Sequence, residues 1–154
     1  MRRNEKEIKD LSIIESIIKK AKVMRLALCD DNQPYIIPLN FGYSDNVFYF
    51  HSANEGKKLD IIQKNPLVCI EIDDDIGIVS DPKGKACGWS ATYESIVALG
   101  KAEIVLDKQE KIKGMDLIMK QYSEDQFEYG DHSINGVTLV RIIVDQMTGK
   151  ESKK

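Results

Sequence analysis

Histidine, tryptophan, cysteine and proline are all scarce in this chain, at two, one, three and four of 154 residues. With only His51 and His132 present, a histidine-rich metal site is excluded. No HExxH, GxSxG or Walker sequence occurs either, which removes three-ligand zinc hydrolysis and the commonest nucleophile and nucleotide motifs. Cys29, Cys69 and Cys87 are odd in number, widely spaced and free of any CxxC pair, so neither a disulfide framework nor a thiolate zinc site is indicated. There is no basic excess: 22 Lys and Arg face 25 Asp and Glu, a net charge of -3, which argues against a nucleic-acid partner. Long apolar runs are missing too. The most apolar stretches, 23–29 and 35–41, fall far short of the roughly 20 residues of a membrane span. The first residues mix both signs of charge without the apolar stretch of a secretory signal, so a cytoplasmic protein is expected.

What is present is a composition 42% hydrophobic and 31% charged, enough for one packed core without staples. One domain is expected over residues 1–150, with 151–154 as a loose tail and the chain already loosening at Gly149. Ile8, Leu11, Ile14, Ile18 and Ala21 recur at helical steps and predict an opening amphipathic helix. Short β-rich runs follow at 23–29, 35–41 and 47–51, split by the turn formers of Asp30-Asp31-Asn32-Gln33-Pro34 and Tyr43-Ser44-Asp45-Asn46, and read as a meander of consecutive antiparallel strands. A short helix is predicted over 56–64, stopped by Asn65-Pro66, and a strand over 67–72. Residues 73–88, with three consecutive aspartates, Pro82 and three glycines, read as an excursion between strands. A long strand over 91–105, bent at Gly100, precedes a capping box at Asp107 to Glu110 and a helix whose apolar face is Ile112, Met115, Met119 and Tyr122. A strand over 137–144 closes the set. The fold class is mainly β, an antiparallel barrel, closed or nearly so, with flanking helices.

The segment His51-Ser52-Ala53-Asn54-Glu55-Gly56-Lys57-Lys58 ends a strand and opens a helix. Hydroxyl and amide donors at the positive end of a helix dipole, next to two lysines, suit a phosphate dianion. The same spacing also fits a Ser-capped helix with solvated lysines and a strand-end histidine. Asp73-Asp74-Asp75 reads as a solvated turn, Trp89 as a packing anchor or the rim of a site, and His132 as a loop residue.

Read together, 34–43, Val47-Phe48-Tyr49-Phe50-His51-Ser52-Ala53 with Gly56-Lys57-Lys58-Leu59, Asn65-Pro66-Leu67-Val68-Cys69, and 89–95 resemble the nitroimidazole-reductase family of pyridoxamine 5′-phosphate oxidase-like flavoproteins. The similarity runs from about Val23 to Lys150. It implies a split barrel that binds FMN in a cleft between the two subunits of a homodimer. It further implies that Pro38, Leu39, Asn40 and Phe41 line the isoalloxazine, that His51, Ser52, Lys57 and Lys58 surround the phosphate or nearby ring edge, and that Ser95 reaches over from the second subunit. His51 is the candidate catalytic residue beside bound substrate. The implied activity is FMN-dependent reduction of a small acceptor such as a nitroaromatic, with NAD(P)H as a possible donor bound transiently, since no GxGxxG is present. A non-catalytic flavin- or haem-binding module is the alternative. Ile36-Ile37 and the 146–150 tail depart from pyridoxamine 5′-phosphate oxidase itself, so vitamin oxidation is not expected.

Overall fold

A computed structural model describes residues 3–153; Met1, Arg2, Lys154 and the side chain of Asp75 lie outside the described residues. The elements are β1 (Glu7–Ile8), α1 (Leu11–Lys20), β2 (Met24–Asp30), β3 (Gln33–Leu39), β4 (Gly42–Ser44), β5 (Val47–Ser52), α2 (Lys57–Lys64), β6 (Leu67–Val79), β7 (Ser90–Ile104), α3 (Lys108–Lys120), α4 (Asp131–Asn135) and β8 (Thr138–Ser152). Two hairpins open the sheet. Asp31 and Asn32 join β2 to β3 at φ 45° and 66°, and Asp45 and Asn46 join β4 to β5 at φ 51° and 63°. Two-residue turns with positive φ match the twist of the strands they connect, and Asn and Asp tolerate that region better than other side chains.

The strands form one antiparallel sheet in the order β3-β2-β6-β7-β8-β5-β4, with β1 added to β8. The expected meander is therefore broken. β3 pairs only with β2, whereas β5 pairs with β4 and β8, so the runs expected to be neighbours, β3 and β5, lie near opposite ends of the sheet. Only Asn40 and Phe41 separate β3 from β4, and three chain steps span at most about 11 Å. The sheet must curl until its two ends nearly meet, yet no ladder joins them. The result is a barrel split along the β3–β4 seam. At the seam Phe41 donates its N–H to Tyr122 Oη (2.9 Å), and that hydroxyl donates to Lys22 O (3.0 Å). Gln121 Nε2 donates to Ile18 O (2.8 Å) and Ala21 O (2.9 Å), tying the end of α3 to the end of α1.

Other expectations shift in detail. Ile8 belongs to β1, not to the opening helix. That helix starts after Asp10, whose carboxylate accepts from Ser12 N–H (2.9 Å), and buries Ile14, Ile17 and Ile18 while Leu11 stays 48% exposed. The 73–88 excursion is shorter than expected: β6 continues through a register shift between Asp74 and Gly77 as far as Val79. The C-terminal segment is not loose through Ser152. β8 pairs Gly149 with Ile96 and Ser152 with Tyr93, and the missing Gly149 side chain makes room for Ile8 and Ile14, whose carbons would lie 2.9 and 3.0 Å from a Cβ there. The bend at Gly100 is present as a register shift between Leu99 and Gly100. Asp107 caps α3 by accepting from Glu110 N–H (2.8 Å), but the Glu110 carboxylate turns to Arg141 instead of back to the cap. The buried face of α3 is Gly114 and Ile118, with Met115 and Tyr122 only partly buried beside it.

Alternation decides the two sides of the sheet. Met24, Leu26 and Leu28 of β2, Phe48 and Phe50 of β5, Val68, Ile70 and Ile72 of β6, and Ile96 and Ala98 of β7 point into one core, which Phe41 and the apolar faces of α1 and α2 complete. Their in-between neighbours take the other face, where Tyr49 of β5 and Leu139 of β8 are covered by Ile118 of α3 and Val105 in a second, smaller core.

Candidate functional site

The end of β5 sets the site. Phe48, Phe50 and Ser52 face the core, so Tyr49 and His51 face the other way. Ser52 is 5% exposed and its hydroxyl has no hydrogen-bond partner. A buried hydroxyl left unpaired costs about 1–3 kcal/mol, so it marks either strain or a missing partner. The turn that follows is fixed by Asn54, which donates to Asn135 O (2.8 Å) and accepts from the Thr138 hydroxyl (3.0 Å). Gly56 then adopts φ 136°, a conformation that favours glycine, and a Cβ there would meet nothing within 4 Å.

α2 begins without a side-chain cap, and this settles one of the alternatives left by the sequence: Ser52 is not the cap. Gly56 O accepts from Leu59 N–H (2.9 Å) and Asp60 N–H (3.2 Å), while the amides of Lys57 and Lys58 remain as first-turn donors at the positive end of the helix. The Lys57 ammonium lies 4.9 Å from the centroid of the Tyr35 ring, so the start of α2 stands beside β3. Tyr35, Ile37 and Leu39 of β3 pack against the core, and Pro34, Ile36 and Pro38 face outward. Pro38 and Leu39 lie three and four residues past Tyr35 on the same strand, and Asn40 and Phe41 form the seam link. The structure brings Lys57 to Tyr35 of β3; Ser52 and Lys58 lie within six residues of Lys57 along the chain, and Pro38–Phe41 continue β3 away from that contact. His51 is exposed on the opposite face of β5 from Ser52, opposite Leu139 of β8.

Ser95 is not brought to this turn. It sits in the middle of the sheet between Asp73 and Lys150, on the outer face. That face carries register-aligned rows: Ile36, Ala27, Cys69 and Leu99 in one, Pro38, Arg25, Glu71 and Val97 in the next. Ile36, Leu67, Val97 and Leu99 are 60%, 59%, 41% and 47% exposed. Arg25 donates to Glu71 within the second row (3.1 Å) and to Asp73 of the row beyond it. Burial holds the Glu71 carboxyl above its ordinary range despite the opposing pull of Arg25. Trp89 is 56% exposed, as a rim residue would be and a packing anchor would not. Tyr35 and Asn54 lie within the stretches singled out in the sequence, 34–43 and 51–58, but neither is assigned a role there; the contacts of Tyr35 with Lys57 and of Asn54 with Asn135 and Thr138 join residues far apart in the chain.

Among the described residues, no group of three His, Cys, Asp or Glu is placed to hold a metal, and no helix is long and apolar enough to cross a membrane. The donor set that remains is two helix amides, an unpartnered hydroxyl and two ammonium groups, which is chemistry for an oxyanion.

Comparison with known proteins places the chain. A crystal structure from Bacteroides thetaiotaomicron, described as a candidate 5-nitroimidazole antibiotic resistance protein, is 38% identical with TM-score 0.85, over 94% of this chain and 86% of that one. A FAD-binding protein from Mesorhizobium loti is 26% identical with TM-score 0.69, over 96% of this chain and 97% of that one. An uncharacterized protein of Rhizobium meliloti strain 1021 is 36% identical over 84 residues, 54% of this chain; the match spans about half (53%) of that curated relative. The sequence profile of the pyridoxamine 5′-phosphate oxidase family matches residues 10–151, nearly the whole length, and the chain belongs to that family.

Proposed function

We propose that this protein binds FMN noncovalently and acts as an FMN-dependent oxidoreductase, passing electrons from a reduced nicotinamide or another donor to a small acceptor such as a nitroaromatic. The observation that carries the reading is the buried, unpartnered Ser52 hydroxyl beside the uncapped start of α2 and its two lysines. A phosphate monoester would accept from the Ser52 hydroxyl and the first-turn amides, and its second negative charge would be met by Lys57 and Lys58. The FAD-binding relative and the relative described for nitroimidazole resistance support the flavin class.

The residues divide the work. Pro38, Leu39, Asn40 and Phe41 would line the ring with backbone, the Tyr35 end of β3 lying toward the phosphate about 10 Å away at strand rise. The flavin supplies the redox chemistry; the protein holds, orients and shields it. His51, exposed at the end of the same strand as Ser52, is assigned to the acceptor side. A homodimer completes the cleft: the outer face with Ile36, Leu67, Val97 and Leu99 is a continuous apolar surface of the kind that a second copy covers, and Ser95 lies on it.

FMN titration is the first test. Purified protein should quench FMN fluorescence and shift its thermal midpoint; failure at saturating FMN would remove the reading. The double change Lys57→Ala, Lys58→Ala should weaken FMN far more than riboflavin, which lacks the phosphate. Anaerobic mixing of the FMN complex with NADH and NADPH should bleach the flavin absorbance. A bound flavin that neither donor reduces would favour a carrier over an enzyme.

A further inference from the structure

We infer that Tyr35 is a positioning residue of the phosphate end: its ring holds the Lys57 ammonium at the mouth of α2 and thereby sets the preference for phosphorylated over unphosphorylated flavin. The inference rests on the FMN reading above.

Lys57 is exposed and is the first residue of α2. A free lysine side chain samples many rotamers, so an untethered ammonium spends most of its time away from any one point. Here it is tethered, 4.9 Å from the Tyr35 centroid, inside the roughly 6 Å range of a cation–π contact. The ring is itself a firm support: Tyr35 packs against the core and its strand is fixed opposite Leu28.

The kind of tether matters. A carboxylate partner would neutralise the ammonium and compete with an incoming phosphate. An aromatic face attracts the cation through its quadrupole but leaves the full charge and the outward N–H groups free for an anion. Among the described residues, the carboxylates that form ion pairs do so with Lys20, Arg25, Lys64, Lys108, Arg141 and Lys153, and none pairs with Lys57 or Lys58. The site therefore keeps a placed but uncompensated positive charge next to the uncapped helix.

The test uses full-length protein with FMN and riboflavin as probes at low ionic strength. Tyr35→Leu, which keeps an apolar contact with the core, should weaken FMN roughly two- to fivefold and leave riboflavin unchanged. Tyr35→Phe, which keeps the ring, should restore wild-type FMN binding. In a Lys57→Ala background Tyr35→Leu should not change the FMN-to-riboflavin affinity ratio further. Equal weakening of both flavins would make Tyr35 a packing or stacking residue and overturn the inference, as would a Tyr35→Leu loss that persists without Lys57. A measurement that needs no variant is the NMR shift of the Lys57 ε-methylene protons, which should lie upfield under the ring current; an ordinary shift overturns the contact. If wild-type protein bound neither flavin, the FMN reading would fall and this inference with it, whereas an unmoved ratio with FMN still bound sinks this inference alone.

Discussion

Replacing Ser52 with alanine should move stability and binding in opposite directions. Ser52 is 5% exposed and its hydroxyl is unpaired, so removing it relieves a desolvation penalty of about 1–3 kcal/mol. The space left is that of one oxygen atom, which at about 24 cal/mol per Å³ of cavity returns only a few tenths of a kcal/mol. The flavin-free protein should therefore gain about 1–2 kcal/mol, which for a chain of this size is a rise in Tm of roughly 2–8 °C. With FMN present the sign reverses. A hydrogen bond to a charged phosphate is worth about 1.5–3 kcal/mol, so Kd should rise roughly 10- to 150-fold. Thermal melts followed by circular dichroism, with and without FMN, read both effects on the same sample. A Ser52→Ala protein that melts well below wild type without FMN would mean that the hydroxyl has a partner in solution. An unchanged FMN affinity would mean that the phosphate lies elsewhere. Either result refutes the argument from the orphaned hydroxyl.

Leu99→Lys places a charge in the middle of the outer apolar face without touching the core, since Leu99 is 47% exposed; light scattering should then give a monomer mass for a folded protein, and a monomeric wild type would refute the dimer. Gly42→Ala should destabilise by about 1–3 kcal/mol, because its Cβ would lie 2.4 Å from the Leu117 carbonyl carbon and 2.5 Å from Ile118 N, backbone atoms that no rotamer change can move; an unchanged denaturant midpoint would show that α3 and β4 are further apart. Burial raises the Glu71 carboxyl above its ordinary range, so the folded state holds its proton to higher pH than the unfolded chain, and this site's contribution is largest at low pH and lost as pH rises through the folded value. Glu71→Gln should flatten the stability profile over the acid range in which this carboxyl loses its proton, and an unaltered slope there would contradict the shift. His51→Ala should leave FMN affinity near wild type and slow transfer to a nitroaromatic acceptor in stopped-flow traces; unchanged rates would free His51 of any catalytic role.

Local rules carried much of the fold. The Asp-Asn turns, the stop at Asn65-Pro66 and the bend at Gly100 are each dictated by residues within reach of one another, and each is found where its chemistry places it. Asn65 even shows the mechanism, accepting from Leu67 N–H (3.2 Å) while donating to Cys29 O (3.2 Å). Strand order is a different kind of quantity. Nothing within β3 or β5 says which neighbour it takes, and short connections argue for adjacency; the two-residue link Asn40–Phe41 instead bridges opposite ends of a curled sheet. The lengths of β6 and β8 were hidden because their outer sides face away from the core, where Asp73, Glu71 and Lys150 are as acceptable as valine. The site followed the same division. The proposed oxyanion segment can be read from sequence because Ser52, the start of α2 and its two lysines are contiguous, whereas the contact of Lys57 with Tyr35 exists only after the barrel has curled.

The scarcity of proline bears on why the seam stays open. Of the four prolines, Pro34 and Pro38 both fall in β3, on the same side of the strand. A proline can sit in a sheet only where its missing N–H is not needed by a partner, which on an edge strand is the free side. Two such positions four residues apart strip that edge of donors, leaving Ile36 N–H alone between them. β4, only three residues long and lying across the seam, then has too little to pair with, and the barrel does not zip shut. The edge that proline keeps unpaired is also the one that faces the start of α2 through Tyr35 and runs into the Asn40–Phe41 link. A closed ladder would fill with backbone the slot in which a planar ring would have to lie, so the device that prevents closure and the residues assigned to the ring are the same stretch of chain. Replacing both prolines with valine would restore the donors. It should favour edge pairing, either across the seam or between molecules, and lower FMN affinity; a doubly substituted protein with the wild-type mass in solution and the wild-type FMN affinity would show that the prolines do not keep the slot.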